Sequence, residues 1–390
     1  MFDTSRFVDK WLRDINAEQV RGGIPMVVPK AASRWPTMAT SCWGDVCVIA
    51  PWEEYLARGD ISLLRRQYPT MKHFLAAAGW WARFLSVRPS RQLIWQLPFH
   101  WGDWAAPEGN AVQWVRRSKW IATAYYAHSC AVAAGIADIL GEAADAAHYR
   151  ELSAKISRAY VDVFTDGHGR LKEEFETAYV LPLAFGMVKG RVAEQMVTNL
   201  LRLIRTADGH LRTGSPGTPH ILFALSDAGR LDAAYDLLLQ TSSPSWLYMV
   251  QSGGTTIWER WDALRPDGTV NTTPLVGSQQ SEDSTGGMVS FNHYAAGAVG
   301  AWMHRRIAGI EPLAGGYARF RIAPRPGGGL THAQAAVNTP YGTVSSSWRI
   351  TDGVLRLAVT VPVSTVCEVV LPDGVTHECR SGQHDFECEM

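Results

Sequence analysis

Charge of one sign is what this sequence most plainly lacks: across 390 residues, 37 Lys and Arg stand against 37 Asp and Glu. That balance argues against a nucleic-acid or anionic-membrane partner, since both need a basic face. Cysteine is sparse, with six residues at 42, 47, 130, 367, 379 and 388, and no two form a C-x-x-C pair. A zinc site and a disulfide framework are therefore not expected, and scattered thiols in a long chain fit a cytoplasmic location. No apolar run makes a membrane span, because the most apolar stretch, IATAYYAHSCAVAAGIADIL, is interrupted by His128 and Asp138. The opening residues MFDTSRFVDKWLRDI have neither a basic n-region nor an apolar h-region, so no signal peptide is read there. Also missing are G-x-x-x-x-G-K-[ST], a strand-linked G-x-G-x-x-G and H-E-x-x-H, and the twelve histidines show no metal-ligand spacing. Neither a metal nor a cofactor is expected.

Tryptophan, by contrast, is abundant: there are sixteen. An indole offers a flat apolar face and one N–H donor, which suits core filling and sugar stacking alike. Up to about residue 309 the apolar spacing is helical. FVDKWLRDI sets Phe7, Trp11 and Ile15 on one stripe, and DISLLRRQYPTMKHFLAAAGWWARFL continues the pattern, with Pro69 expected to divide it. Later stretches come in pairs. SKWIATAYYAHSCAVAAGIADIL joins EAADAAHYRELSAKISRAYVDVF around Gly141, ETAYVLPLAFGMV precedes RVAEQMVTNLLRLIRT, and TPHILFALSDAG precedes RLDAAYDLLLQT. A last helix is predicted through HYAAGAVGAWMHRRIAGI. Bland amphipathic helices thus alternate with helices that follow a Gly/Trp-rich loop. The alternation predicts a mainly α chain folded as an α/α toroid, with a pocket at one end of its inner helices. After Gly309 the segments YARFRIAPRP, SSSWRIT, VLRLAVTVP and CEVVLPDG are short, β-branched and bounded by turn residues, which predicts a C-terminal antiparallel β-sandwich. The expected division is 1–311 for the helical domain and 312–390 for the sandwich.

Unusual residues gather in the loops: CWGDVCVIAPWEEY at 42–55, HWGDWAAPEG at 100–109, GGTTIWERWD at 253–262 and SFNHYAAG at 290–297. The first two contain Trp-Gly-Asp, where glycine permits a sharp turn that sets an aromatic beside a carboxylate. A carbohydrate site uses that pairing, the ring stacking on C–H bonds and the carboxylate accepting from hydroxyls. Glu259, flanked by Trp258 and Trp261, is either a buried catalytic carboxylate or an exposed residue on an apolar strand. Plainer readings stand beside the sugar-binding one. Asp45 and Asp103 also suit helix caps, Trp43 and Trp104 suit the core, His293 suits a helix start, and Asp262 suits a partner for Arg260 or a backbone N–H. TGSPGTPH lacks the strand–elbow–helix setting of a serine nucleophile.

Taken together, GGTTIWERWD, SFNHYAAGAVGAWMHRRIAGIEP, FRIAPRPGGGLTHAQAAVNTPYG, FDTSRFVDKWLRDI, GGIPMVVP, WGDVCVIAPW and GDWAAPEG closely resemble the bacterial α-L-rhamnosidases of glycoside hydrolase family 78. The likeness covers essentially the whole chain, in the family's order. It implies an (α/α)6 barrel followed by a β-sandwich, and inverting hydrolysis of terminal α-L-rhamnose from a glycoside or oligosaccharide. By position Glu259 matches the general base, and Trp43, Asp103, Trp104, Trp258 and His293 fall in segments lining the rhamnose pocket.

The sequence also departs from that pattern. The family's acidic segment, resembling D-x-x-x-R-D-E-R-x-x-W-x-x-D and holding the general acid, would precede FDTSRFVDKWL. The chain is expected to begin just after it, without the first barrel helix, and to be a weakly active fragment. Inversion needs two carboxyls roughly 6.5–9.5 Å apart. Asp45, Glu53, Glu54 and Glu108 are the substitutes to weigh, and consecutive Glu53 and Glu54 cannot share a helix face. An incomplete barrel would expose an apolar flank, so self-association or an upstream domain is expected to cover it. RPDGTVNTTPLVGSQQSEDSTGGMVSF, longer and more polar than the family's, is expected to be a loop insertion at the pocket mouth. Two other readings stay open: a non-catalytic sugar-binding relative, and an inverting (α/α)-barrel glycosidase or phosphorylase of other specificity.

Overall fold

Burial on several sides marks the inner helices. In the computed structural model, which describes residues 3–30, 37–84, 86, 91–96, 100–271 and 290–390, the alanine-rich helix α5 (Ser118–Leu140) is buried along nearly its whole length. Small side chains let neighbours approach it from several sides. It touches α2 (Val46–Arg58) and α7 (Glu176–Ala184), and α7 in turn touches α9 (Thr218–Asp227), forming an inner series. Outside lie α1 (Ser5–Glu18), α3 (Ile61–Phe84), α6 (Ala143–Phe164), α8 (Gly190–Thr206) and α10 (Leu231–Leu238). These are one-sided: α8 buries Met196, Leu200, Leu201 and Ile204 and turns its charges outward. Short helices α4 (Ala111–Arg116) and α11 (Trp246–Gln251) lead into α5 and the Glu259 loop. Gly141, at φ 81°, closes α5 by donating to the Ala137 and Asp138 carbonyls, and α6 returns antiparallel. The toroid expected from the alternation is present.

Three local expectations change. Pro69 does not divide its helix: α3 runs unbroken for 24 residues, as α2 and α7 run through Pro51 and Pro182. One missing N–H is outweighed where both flanks are packed, and Tyr68, Thr70 and Met71 are all buried. Phe7 is 71% exposed, and the packed stripe of α1 is Leu12 and Ile15, with Trp11 half-buried and donating to the Val28 carbonyl at 3.1 Å. The last helix is not uniform, passing from a 3-10 turn (Ala296–Ala298) through α12 (Val299–Trp302) to a π turn (Met303–Ile307).

The C-terminal strands are β1 (Ile310–Pro312), β2 (Arg319–Ile322), β3 (His332–Thr339), β4 (Gly342–Thr351), β5 (Val354–Val361), β6 (Val366–Val370), β7 (Thr376–Cys379) and β8 (Gly382–Glu389). They form two four-stranded sheets, β1-β2-β6-β7 and β3-β4-β5-β8. One pair, β2 with β6, is parallel, against the antiparallel expectation. Strands β3 to β5 intervene and supply the long crossover that a parallel pair requires. The expected boundary at 311/312 falls inside β1. All six cysteines are free, with Cys367 and Cys379 opposite one another in the β6–β7 register.

Barrel and sandwich share one core. Trp348 on β4 is buried and donates to the Ile307 carbonyl at 2.8 Å, and Ser346 donates to Ala308 at 2.7 Å. Arg306 clamps Asp227 with two bonds of 2.9 Å and reaches Glu311. Gly309 sits at φ 81°, where a Cβ would collide with the backbone of Ala323 and Pro324.

Candidate active site

Two loops far apart in sequence are bolted together around Glu259. Its backbone N–H donates to Ser290 at 2.8 Å, and His293 N–H donates to Ile257, also at 2.8 Å. Gly254 makes room for the Trp258 ring, which a Cβ there would approach to 3.0 Å. The flanking indoles turn inward. Trp258 is 2% exposed and stands edge-on to Phe291 (5.5 Å between centroids), while Trp261 packs against Trp246 at 5.2 Å. Trp258, expected to line a sugar pocket, therefore backs the loop from the core side.

The Glu259 side chain is 8% exposed. Trp104 Nε1 donates to its Oε1 at 3.5 Å, and His293 Nε2 lies 4.0 Å from the same oxygen. Ala295 N–H donates to His293 Nδ1 at 3.3 Å, which makes Nδ1 the acceptor and leaves Nε2 as the ring nitrogen that faces Glu259. Among the described residues no donor reaches Oε2. A carboxylate with one oxygen bonded to an indole N–H and the other met by no described donor can accept a proton from water or a bond from a hydroxyl. The open question from the sequence is answered for burial: Glu259 is enclosed beside indoles. Asp262 is engaged by Arg260 at 2.8 and 3.1 Å and by Asn271 at 2.6 Å.

The Trp-Gly-Asp loops present their tryptophans and hide their carboxylates. Trp43 and Trp104 are half-buried, and Trp104 is wedged edge-on between Trp101 and Trp114. Asp45 occupies the residue before α2 but makes no cap hydrogen bond. Fully buried, it turns back to accept from Ser41 Oγ at 3.2 Å, Cys42 N–H at 2.5 Å and Ser129 Oγ. Asp103 is equally buried and accepts from Thr177 Oγ1 at 2.7 Å, Gly214 N–H at 3.0 Å and Arg117 at 3.5 Å. Burial pushes both carboxyls up to about 6. Expected to touch the sugar, Asp103 instead clasps the Trp104 loop to α7 and to the start of α9, because its oxygens are consumed by the protein.

The weighed substitutes for an acid are all occupied. Glu53 pairs with Arg305 at 3.0 Å, Glu54 with Arg58 at 3.4 Å and Glu108 with Arg212 at 2.5 Å. The expected insertion lies mostly at 272–289, outside the described residues. Sequence reasoning missed Glu176 and His100. Glu176, at the first turn of α7, is buried, accepts from Arg212 N–H at 2.6 Å through Oε2 and has no partner for Oε1 among the described residues. Burial pushes its carboxyl up to about 8, and neighbouring Asp103 and Glu108 add to the rise. Only its place ahead of an apolar helix could have signalled it.

Comparison with known proteins places these residues in context. Residues 1–307 match the model of the bacterial alpha-L-rhamnosidase 6 hairpin glycosidase domain, and 309–386 match the bacterial alpha-L-rhamnosidase C-terminal domain. An alpha-L-rhamnosidase of Formosa agariphila is 35% identical over 387 residues, covering 98% of this chain and 39% of the relative. One from Streptomyces avermitilis is 37% identical over 380 residues, 96% of this chain and 34% of the relative. The chain thus spans about two-fifths of the length of such relatives or less. Among solved structures, the Streptomyces avermitilis alpha-L-rhamnosidase complexed with L-rhamnose superposes with a TM-score of 0.86 at 34% identity, covering 99% of this chain and 36% of that one. The native Aspergillus terreus enzyme gives 0.88 at 32% identity, covering 100% and 44%.

Proposed function

We propose, from the premise that this chain belongs to the bacterial α-L-rhamnosidases of glycoside hydrolase family 78, that it carries the sugar pocket and catalytic base of a rhamnoside hydrolase. In this reading Glu259 deprotonates the water that attacks the anomeric carbon, and the sugar departs with inversion. Trp104 holds Oε1, with the His293 ring close by, so proton transfer falls to Oε2. Trp43 and Trp104 offer aromatic faces to the deoxyhexose, and Trp258 supports the base from behind. The observation that carries the reading is an enclosed carboxylate with one oxygen bonded to the Trp104 indole N–H at 3.5 Å and an imidazole nitrogen 4.0 Å from the same atom.

The acid that protonates the leaving oxygen comes, in this reading, from outside the 390 residues: a further segment of a longer protein, or a second copy of the chain. Two observations support this. The relatives are more than twice as long, and Glu53, Glu54 and Glu108 are already ion-paired. The substrate class is a glycoside or oligosaccharide ending in α-L-rhamnose. Six free thiols, five of them buried, accord with the cytoplasm.

The experiment is turnover of an aryl α-L-rhamnoside, whose leaving group needs little protonation, with Glu259→Gln as control and proton NMR of the first-formed anomer. β-L-Rhamnose released by wild type and not by the variant supports the reading. Rhamnose binding with no release in either points instead to a sugar-binding relative. Turnover of other aryl glycosides, or only with phosphate present, points to a different inverting barrel enzyme.

A further inference from the structure

A sugar site walled by two loops depends on how far apart those loops are held, and one side chain joins them through backbone groups alone. His100 is 2% exposed and packs edge-on to Trp95. Its Nε2 meets the Ser41 carbonyl, and its Nδ1 accepts the Gly102 N–H at 2.8 Å. A carbonyl only accepts and an amide N–H only donates, so the ring is neutral with its proton on Nε2. Burial, which pushes its pKa down to about 4, keeps it so near neutrality. Ser41 stands two residues before Trp43, and Gly102 stands two before Trp104.

Both turns are backbone-constrained where the imidazole attaches. Cys42 lies at φ 84°, a left-handed conformation that a non-glycine residue adopts only when its surroundings hold it there. The bonds from Cys42 N–H and Ser41 Oγ to Asp45 hold it there. Gly102, at φ 62°, lies under the Trp114 carbonyl, where a Cβ would collide. Each turn is thus stiff in itself, and His100 is the direct polar link from the Ser41 carbonyl to the Gly102 amide.

We infer that His100 is a positioning residue, a neutral imidazole strut that sets the separation of Trp43 from Trp104 and with it the aim of the Trp104 N–H at Glu259. The role in sugar binding rests on the rhamnosidase reading; the strut itself does not.

The test uses two variants of the whole chain, each keeping one end of the strut. His100→Gln retains a donor near the Nε2 position and loses the acceptor for Gly102. His100→Asn retains an acceptor near Nδ1 and loses the reach to Ser41. Both are expected to keep wild-type far-UV circular dichroism, to change the near-UV tryptophan bands, and to weaken L-rhamnose binding about tenfold or more. KM for an aryl rhamnoside should rise with Kd by more than kcat falls, a split that a general loss of folded protein does not produce. In the wild-type chain, 15N shifts of the His100 ring should show Nε2 protonated and Nδ1 bare at pH 7. An Nδ1-protonated or cationic ring overturns the inference. So does unchanged rhamnose affinity in both variants while wild type binds. If wild type binds no rhamnose, the rhamnosidase reading fails, and the ring shifts and near-UV bands still decide the strut.

Discussion

At Glu259 the two carboxylate oxygens differ: Oε1 takes the Trp104 N–H and faces His293 Nε2, while no described donor reaches Oε2. Glu259→Gln keeps the acceptor and removes the basicity, so kcat for an aryl rhamnoside is expected to fall about 10²–10⁴-fold with KM little altered. Trp104→Phe keeps an aromatic face and removes the donor. We expect kcat to drop about tenfold, with a smaller change in KM, in the same steady-state assay. The motif around Glu259 marked it as a candidate, but its enclosure depends on Trp104, 155 residues away. Asp103 was no easier to place. A carboxylate beside tryptophan reads the same whether it faces a sugar or clasps a loop, and its partners Thr177 and Gly214 lie 74 and 111 residues away. Asp45 misled in the same manner, through Ser129, 84 residues on.

Inner helices place ionisable groups where water is scarce, and this sets a pH dependence. Glu176, raised from 4.5 to about 8, keeps its proton in the folded chain and loses it in the unfolded one, so its contribution to stability fades as pH rises across that span. Asp45 and Asp103, raised to about 6, act in the same direction between about pH 4 and 6. His100 and His128, lowered to about 4, and His220, lowered to about 3, act in the opposite direction: stability is lost as pH falls below 6.5, where the unfolded chain takes up protons that the folded one refuses. The two sets oppose one another below pH 6, and of these groups only Glu176 is left above 6.5. Glu176→Gln should therefore gain on wild type by on the order of 2 kcal/mol between pH 6.5 and 8. Thermal melts of both proteins at the two pH values check the slope, whatever constant offset the new amide brings. At this scale the sequence was most informative where packing was uniform. Helices α5 and α6 fall where alanine and apolar spacing put them, with α5 bounds identical to the quoted segment. Pro69 and the β2–β6 pairing were illegible because each is settled by neighbours that local pattern does not reveal.

Barrel and sandwich are joined by buried hydrogen bonds, so they should melt as one. Trp348→Ala removes an indole from the shared core and leaves the Ile307 carbonyl without its partner. A loss of about 3–5 kcal/mol is expected. Denaturation followed by helical and by near-UV signals should remain a single coincident transition in wild type. Two separated transitions would show that the halves stand alone. The change of texture after Gly309 was enough to predict two layers of different kind. It said nothing of the cement between them, because Trp348 reads in sequence as one more strand residue with a bulky side chain.

The pair of backbone bonds at the base of the Glu259 loop also says where the loop tolerates change. Glu259 to Ser290 and Ile257 to His293 lock both ends of the intervening stretch in place. Changes confined to the exposed turn at 266–268 should thus leave those two bonds and the buried Trp261 and Ala263 undisturbed, which makes that turn a place where a designer can try new recognition elements.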